Sequence, residues 1–383
     1  MMTEQELSIE KLVYGGDGLA RENGRVVLLP FVLPGERVRA EVRRSKNDLL
    51  RGRVTETLEP SPERVVPGCP FFLRCGGCQY QHARYEYQLE QKRDILREVL
   101  RRIGRIEYDG EIEIISAEPW QYRNRTQLHI SGGCIGYFEH GSHRLCAIDR
   151  CPISSPKLNE MIGRLAAELP GLPRFEATME LFTNESEVQF DLLDPVPPPF
   201  RALMRGLGTR RPLQYDGFRV SRGSFFQVNR FLTGRLVDAA LEGLSGAAAL
   251  DLYAGVGLFT LALTRSFEQV TAVEMSANAF EDLRVNAAQA DARQETADAH
   301  LLNVERAPDV IVADPPRFGL GKTAVGELLR IGSPRVAIVA CDPATLARDL
   351  APLLGGGYSI EKIVLVDLFP QTAHFETVVR LRR

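Results

Sequence analysis

The chain has 383 residues, 44% of them hydrophobic and 25% charged, with a formal net charge of −3. That length exceeds one ordinary core and suits two or three domains, and the composition excludes disordered and fibrous classes. No apolar run approaches the ~20 residues of a membrane-spanning helix, and the polar, acidic start MMTEQELSIE reads against a secretory signal, so a cytosolic (cytoplasmic) protein is expected.

Residues 1–57 read as short strands, LSIEKLV, GRVVLLP, GERVRAEVRR and LRGRVTETLE, with the turn-rich YGGDGLAREN between the first two. So many short strands in so little chain predict a small barrel of the oligonucleotide-binding type. Its second half holds Arg37, Arg39, Arg43, Arg44, Lys46, Arg51 and Arg53 against only Glu41 and Asp48. Local basic surface attracts phosphates even when net charge is negative.

The proline-broken PSPERVVPGCP marks a boundary, and residues 58–220 form the next unit. Within it, YEYQLEQKRDILREVLRRI places Leu89, Ile95, Leu96, Val99, Leu100 and Ile103 near helical spacing, predicting an amphipathic helix over 85–103. That helix has the option of packing on the C-terminal domain. It also begins a second basic run, Lys92, Arg93, Arg97, Arg101, Arg102 and Arg105. Strand-like EIEIIS, TQLHISGG, ATMELFT and EVQFDLL, with a helix near Leu158–Leu169, then predict a central α+β domain.

From 221 to 383 the pattern changes. After a helix at about 229–244, the apolar strands AAALDLY, QVTAVEM, DVIVADPP, RVAIVACDP and IEKIVLVDLFP alternate with helical segments. This is the signature of a buried, mostly parallel α/β sheet. FETVVRLRR follows the last strand closely and is expected to pair antiparallel with it.

The first of these strands ends in Asp251-Leu-Tyr-Ala-Gly255-Val-Gly257, and the second in Glu274. Two glycines after a strand permit a tight turn against a ligand, and an acid at the next strand tip can accept from ribose hydroxyls. Thr260 stands where a dinucleotide fingerprint has its third glycine, which favours a methyl-donor site over a nicotinamide site. Asp314-Pro315-Pro316-Arg317 ends the third strand, and Cys341 ends the fourth. A thiolate at such an edge suits carbon-5 methylation of uracil. Carbon-5 is too weak a nucleophile until a thiolate adds at carbon-6, and a base must afterwards remove the carbon-5 proton. Glu376 is the candidate base. His374 lies two residues away, and spacing alone leaves open which of the two takes the proton.

Seven cysteines, Cys69, Cys75, Cys78, Cys134, Cys146, Cys151 and Cys341, argue against a disulfide framework. Cys69-x5-Cys75-x2-Cys78 supplies three thiols, with a fourth ligand open among Cys151, Cys146 and His82.

CDPATLARDL, DPPRFGL, DLYAGVGLF, SFFQVN and AHFETV together resemble the RNA uridine carbon-5 methyltransferase family, in its order, across 221–383. The resemblance implies a Rossmann-like S-adenosylmethionine methyltransferase domain. It makes Cys341 the nucleophile and Glu376 the base, with donor contacts at Gln227, Tyr253, Glu274 and Asp314. Asp298 falls on the adenine side, and Gly255 and Gly257 form the donor turn. Members with the C-x5-C-x2-C spacing carry a [4Fe-4S] cluster closed by a cysteine before proline, here Cys151-Pro152. That leaves Cys134 and Cys146 as ordinary cysteines and makes 58–220 a central α+β iron–sulfur domain. The N-terminal barrel resembles TRAM, an RNA-binding module. The whole layout is similar to bacterial enzymes acting on 23S ribosomal RNA, with transfer RNA as the alternative. A monomer is expected. The chain departs from the family at Ala254, Ala340 and Leu258, none of them a reacting group. A cytosine methyltransferase is disfavoured by DPPR on the third strand and the cysteine on the fourth. An amino-methylating enzyme is disfavoured by Arg317 in place of an aromatic. A non-catalytic iron–sulfur RNA-binding protein is disfavoured by the presence of Cys341, Glu376 and Asp314.

Overall fold

A computed structural model describes residues 3–44 and 49–383; Lys46 and Asp48 of the first basic run lie outside the described residues. Strands β1 (Thr3–Leu12), β2 (Asp17–Glu22), β3 (Arg25–Pro30), β4 (Arg37–Arg44) and β5 (Leu50–Glu59) close into a barrel in the order β1-β2-β3-β5-β4. The two-residue period of a strand sends Leu7 and Ile9, Val27 and Leu29, and Val38, Ala40 and Val42 into one small core. The outward arginines are less available to phosphate than their sequence suggests. Arg37 pairs with Glu59 at 2.7 Å, Arg39 with Glu6 at 3.0 Å, Arg51 with Asp17 at 3.1 Å and Arg53 with Glu41 at 3.2 Å.

Helix α1 (Tyr85–Val99) runs on into a π turn at Leu100–Gly104, close to the predicted span. Its Ile95, Leu96 and Leu100 share a core with Ile338, Phe375 and Val379 of the C-terminal region. Lys92, counted above in the basic run, is no surface charge: it is fully buried against Asp367 at 2.6 Å. Strand β6 (Ile112–Ile115), expected within the central unit, instead pairs parallel with the C-terminal sheet. Its IEII run offers two apolar faces, which an edge position beside a helix can bury.

The central sheet has the order β11-β10-β7-β8-β9, built from β7 (Arg125–Ser131), β8 (Cys134–Phe138), β9 (Leu145–Ala147), β10 (Ala177–Thr183) and β11 (Val188–Leu192). Helix α2 (Pro156–Glu168) covers it through Leu158, Met161, Ile162 and Leu165, and α3 (Pro198–Leu207) adds Phe200 and Met204. A hairpin, β12 (Leu213–Tyr215) and β13 (Phe218–Val220), leads out of this unit.

The remaining chain alternates α4 (Thr233–Leu241), β14 (Gly246–Leu252), α5 (Leu258–Leu263), β15 (Phe267–Val273), α6 (Ala277–Asn286), β16 (Asp291–Arg293), α7 (Ala297–Leu302), β17 (Val310–Ala313), α8 (Gly321–Ile331), β18 (Arg335–Ala340), α9 (Pro343–Gly355), β19 (Ser359–Val366) and β20 (Glu376–Arg382). They form a sheet ordered β16-β15-β14-β17-β18-β20-β19-β6, with β20 inserted antiparallel between β18 and β19. Every residue of β17 is buried, as expected for parallel strands covered on both faces. The registers Leu252↔Val273, Leu252↔Ala313 and Ala313↔Ile338 bring the carboxyl ends of β14, β15, β17 and β18 to one edge, where open α/β sheets place their sites.

Candidate active site

Cys341 stands one residue past β18. Asp342 caps α9, its Oδ1 accepting the N–H groups of Ala344 and Thr345 at 2.9 Å each, and Pro343 opens the helix. The rest of the CDPATLARD segment ties down the DPPR loop rather than reacting. Thr345 Oγ1 donates to the Arg317 carbonyl at 3.2 Å, Arg348 to the Phe318 carbonyl at 2.7 Å, and the Leu320 N–H to Asp349 at 2.7 Å. The Cys341 strand end and the Asp314 loop are thereby tied together.

The antiparallel register pairs Ala340 with Thr377, so the next facing positions are Cys341 and Glu376. Facing residues on adjacent strands project from the same side of the sheet. Glu376 is buried and Cys341 half-buried. Burial, aided by the Glu376 and Asp314 charges, pushes the Cys341 thiol up to about 11, with Arg317 opposing. Burial and Asp251 raise Asp314 to about 7. Burial and Asp314 also raise Glu376 well above its ordinary value, with Arg317 opposing. The site thus concentrates acids and a thiol, with Arg317 the cation that opposes them. The thiolate is the reactive form. Alkylation of Cys341 in the ligand-free protein is therefore expected to speed up about ten-fold per pH unit between pH 7 and 10. Mass-spectrometric alkylation rates check this; a flat profile would contradict it.

His374 lies in the irregular segment before β20 rather than on the strand. Burial, with Arg317, Lys92 and Arg123 nearby, lowers it to about 4, so it is neutral at pH 7. Its ring meets Tyr14 edge-on at 6.3 Å. Sequence reasoning missed Tyr14. This barrel residue, from the turn after β1, donates its hydroxyl to the Cys341 carbonyl at 3.1 Å and packs edge-on against Phe375 at 5.8 Å. No local motif announces it, because the contact spans 327 positions of sequence.

The glycine turn follows β14. Gly257 has φ +94°, and a side chain there would also strike Leu283, so glycine is required. Glu274, at the tip of β15, accepts from the Gly255 N–H at 2.9 Å and the Ser276 N–H at 2.6 Å. Beneath the turn, Thr260 Oγ1 donates to Asp251 Oδ2 at 2.5 Å, and burial raises Asp251 to about 7. Tyr253 sits half-buried at φ +59°, with Asp298 of α7 exposed and within electrostatic reach. Gln227 is buried in a loop anchored from α6. Asp282 accepts the Ser221 N–H at 2.6 Å and the Ser224 hydroxyl at 2.7 Å, and Asn286 donates to the Arg219 and Val256 carbonyls at 2.9 and 2.8 Å.

The cysteine segment lies against the central sheet. Cys69, Cys78 and Cys151 pack in one small apolar cluster with Phe72, Tyr122 and Ile153. Cys151 raises the thiols of Cys69, Cys75 and Cys78 alike, whereas Cys146 acts on Cys69 and Cys75. Burial is the first cause in each case and pushes Cys75 to about 12. Cys134 is exposed, and His82 is buried and lowered to about 4. Among the described residues, no three histidine, cysteine, aspartate or glutamate side chains are arranged to hold a metal ion.

The chain is similar to known proteins over its whole length. It is 34% identical to a 23S rRNA (uracil(1939)-C(5))-methyltransferase, RlmD, of Chromohalobacter salexigens, over 100% of this chain and 90% of that one. The chain belongs to the RNA uracil-C5 methyltransferase family. The methyltransferase is also 32% identical to an uncharacterized RNA methyltransferase of Aquifex aeolicus, over 98% of both. Family profiles match residues 2–55 as a TRAM domain and residues 293–383 as tRNA (Uracil-5-)-methyltransferase. The structure resembles the Pyrococcus abyssi tRNA (uracil-54, C5)-methyltransferase in complex with S-adenosyl-L-homocysteine. That match has 27% identity and a TM-score of 0.78 over 98% of this chain and 99% of that one. This is accordingly an RNA (uracil-5-)-methyltransferase.

Proposed function

We propose that this enzyme methylates carbon-5 of a uridine in 23S ribosomal RNA through a covalent Cys341 adduct. The observation that carries the covalent route is that Cys341 and Glu376 lie one step beyond the Ala340↔Thr377 pair, within electrostatic reach of each other and of Asp314, at the carboxyl edge that also carries the glycine turn. Cys341 Sγ adds to carbon-6, placing the electron pair on the carbon-5 side of the ring. S-adenosylmethionine, when bound, would supply an electrophilic methyl group to carbon-5, the sulfonium–methyl bond breaking with its electron pair kept on sulfur and S-adenosylhomocysteine leaving. Glu376 then accepts the carbon-5 proton, and the electron pair returns to expel the thiolate. Glu274 suits the ribose hydroxyls, Gly255 and Gly257 the close backbone approach, Asp298 the adenine side, and Gln227, Tyr253 and Asp314 further contacts to the donor. Positive charge brought to this edge would offset the burial and acidic neighbours that raise Asp314, Glu376 and the Cys341 thiol, favouring their ionised forms.

Ribosomal RNA is favoured over transfer RNA because full-length relatives named for uracil 1939 of 23S rRNA recur in several organisms at 30–34% identity. The target base has to leave its stack to meet Cys341, which suits a single-stranded loop. Methylation of 23S rRNA fragments and tRNA transcripts with labelled donor tests the target. Label as 5-methyluridine in 23S rRNA is expected, and label in tRNA alone would overturn the assignment. The enzyme is further proposed to act as a monomer in the cytoplasm.

Cys69, Cys75, Cys78 and Cys151 are proposed to hold a [4Fe-4S] cluster. The donor set is all thiol, with Cys69, Cys78 and Cys151 in one apolar cluster and Cys75 against the adjoining central core, which fits a group that spreads four thiolates over several irons rather than round one ion. The methyl transfer routes no electron through it. Anaerobically purified protein should contain about four iron and four sulfide per chain; a colourless, zinc-loaded protein would overturn this.

A further inference from the structure

Glu376 begins β20, and the residues before it, 367–375, form no regular secondary structure. Yet Asp367, Leu368, Gln371, Thr372, Ala373 and Phe375 are all nearly or fully buried. A buried irregular segment has to find partners for its polar groups. Here several of them come from outside the C-terminal domain. Helix α1 supplies Lys92, whose Nζ reaches Asp367 Oδ1 at 2.6 Å and the Phe369 carbonyl at 3.1 Å. One turn earlier Gln88 makes a reciprocal pair with Gln371. Its Nε2 donates to Gln371 Oε1 at 3.0 Å, and its Oε1 accepts the Gln371 N–H at 3.1 Å. The cysteine turn supplies the other jaw. The N–H groups of Gln79 and Tyr80, directly after Cys78, both donate to the Gln371 carbonyl, at 3.1 and 3.0 Å. Gln79 Oε1 accepts the Ala373 N–H at 3.1 Å. Gln371 itself is held at φ +69°, a left-handed conformation that a non-glycine residue keeps only when its surroundings impose it.

We propose that Gln88 and Gln79 are positioning residues for Glu376. Helix α1 and the cysteine turn together clamp the segment that delivers the base, so the cysteine-bearing region acts on proton removal rather than on methyl transfer. The inference rests on Glu376 being the base. Its physical basis is that Glu376 is the terminal residue of β20: the ladder to β18 begins only at Thr377, and Glu376 keeps a single strand partner, Val366 of β19. The clamp fixes that end from the N-terminal side. Cys341 and the donor turn have contacts of their own outside the segment, through α9 and Glu274.

The test uses the full chain with Gln88→Ala and, separately, Gln79→Ala, beside Glu376→Gln. Single-turnover methyl transfer is compared with multiple turnover, and covalent RNA–protein complex is read on denaturing gels. Either glutamine variant is expected to lose about ten-fold or more in turnover, since small misplacements of a reacting group carry such penalties. The rate of methyl transfer and the KM for RNA should stay within about two-fold, and methylated covalent complex should accumulate. Amide hydrogen exchange at residues 372–376 should quicken in both. If Glu376→Gln accumulates complex and the glutamine variants do not, the clamp is overturned while the base stands. If none of the three does, the base reading fails and the clamp with it. A loss of turnover matched by an equal loss of methyl transfer would mark a merely structural role and also overturn it.

Discussion

Cys341→Ala is expected to lower methylation by about 10⁴-fold or more while leaving the fold and donor binding intact. The substitution removes one sulfur from a half-buried position, and the backbone that presents it is fixed independently. Asp342 caps α9 through its own side chain, and Tyr14 bonds the Cys341 carbonyl, which alanine retains. Without the thiolate, carbon-5 of uracil has no route to sufficient electron density. Serine should not rescue, because an aliphatic hydroxyl is a far weaker acid than a thiol and gives no comparable nucleophilic anion here. Donor affinity, read calorimetrically, should stay within about two-fold. Methylation within ten-fold of the parent enzyme would refute the nucleophile assignment.

Glu376→Gln separates the two halves of the reaction. Turnover should fall by about 10²–10⁴-fold, the usual contribution of a general base. Methyl transfer should persist for a single turnover, and the methylated adduct should remain on Cys341 because nothing takes the carbon-5 proton. The variant also carries a signature in stability. A carboxyl whose folded pKa is raised contributes stability that is full below its unfolded pKa and is lost as pH rises through the folded value. Glutamine mimics the protonated form and suffers no such loss. Ligand-free Glu376→Gln should therefore match the parent in acid and melt higher than it as pH rises. Thermal melts across the pH range check this; a gap that closes with pH would contradict the burial argument.

Much of the C-terminal sheet was legible because its signals are local. Apolar runs such as DVIVA and RVAIVA mark buried strands, and glycines, acids or a cysteine stand directly at their ends. The five-stranded barrel was legible from alternation and turn residues. What escaped was tertiary. Nothing in IEII shows that it leaves its neighbours to join the distant β19, and Lys92 in a run of arginines reads as solvated until Asp367 is found beside it. Strand pairing turned Cys341 and Glu376, 35 positions apart, into neighbours, and no motif spacing carries that information. The contributions of Tyr14, Gln79 and Gln88 are of the same kind, since each acts on a residue hundreds of positions away.

The covalent role of Cys341 is tested most directly with RNA carrying 5-fluorouridine at the target position. Fluorine at carbon-5 cannot leave as a proton does, so an adduct that has received its methyl group cannot resolve. Incubation with the methyl donor should give a denaturation-resistant complex of one RNA per chain, and peptide mapping should place the nucleotide on Cys341. A complex on another residue, or none while ordinary uridine RNA is methylated normally, would contradict the mechanism.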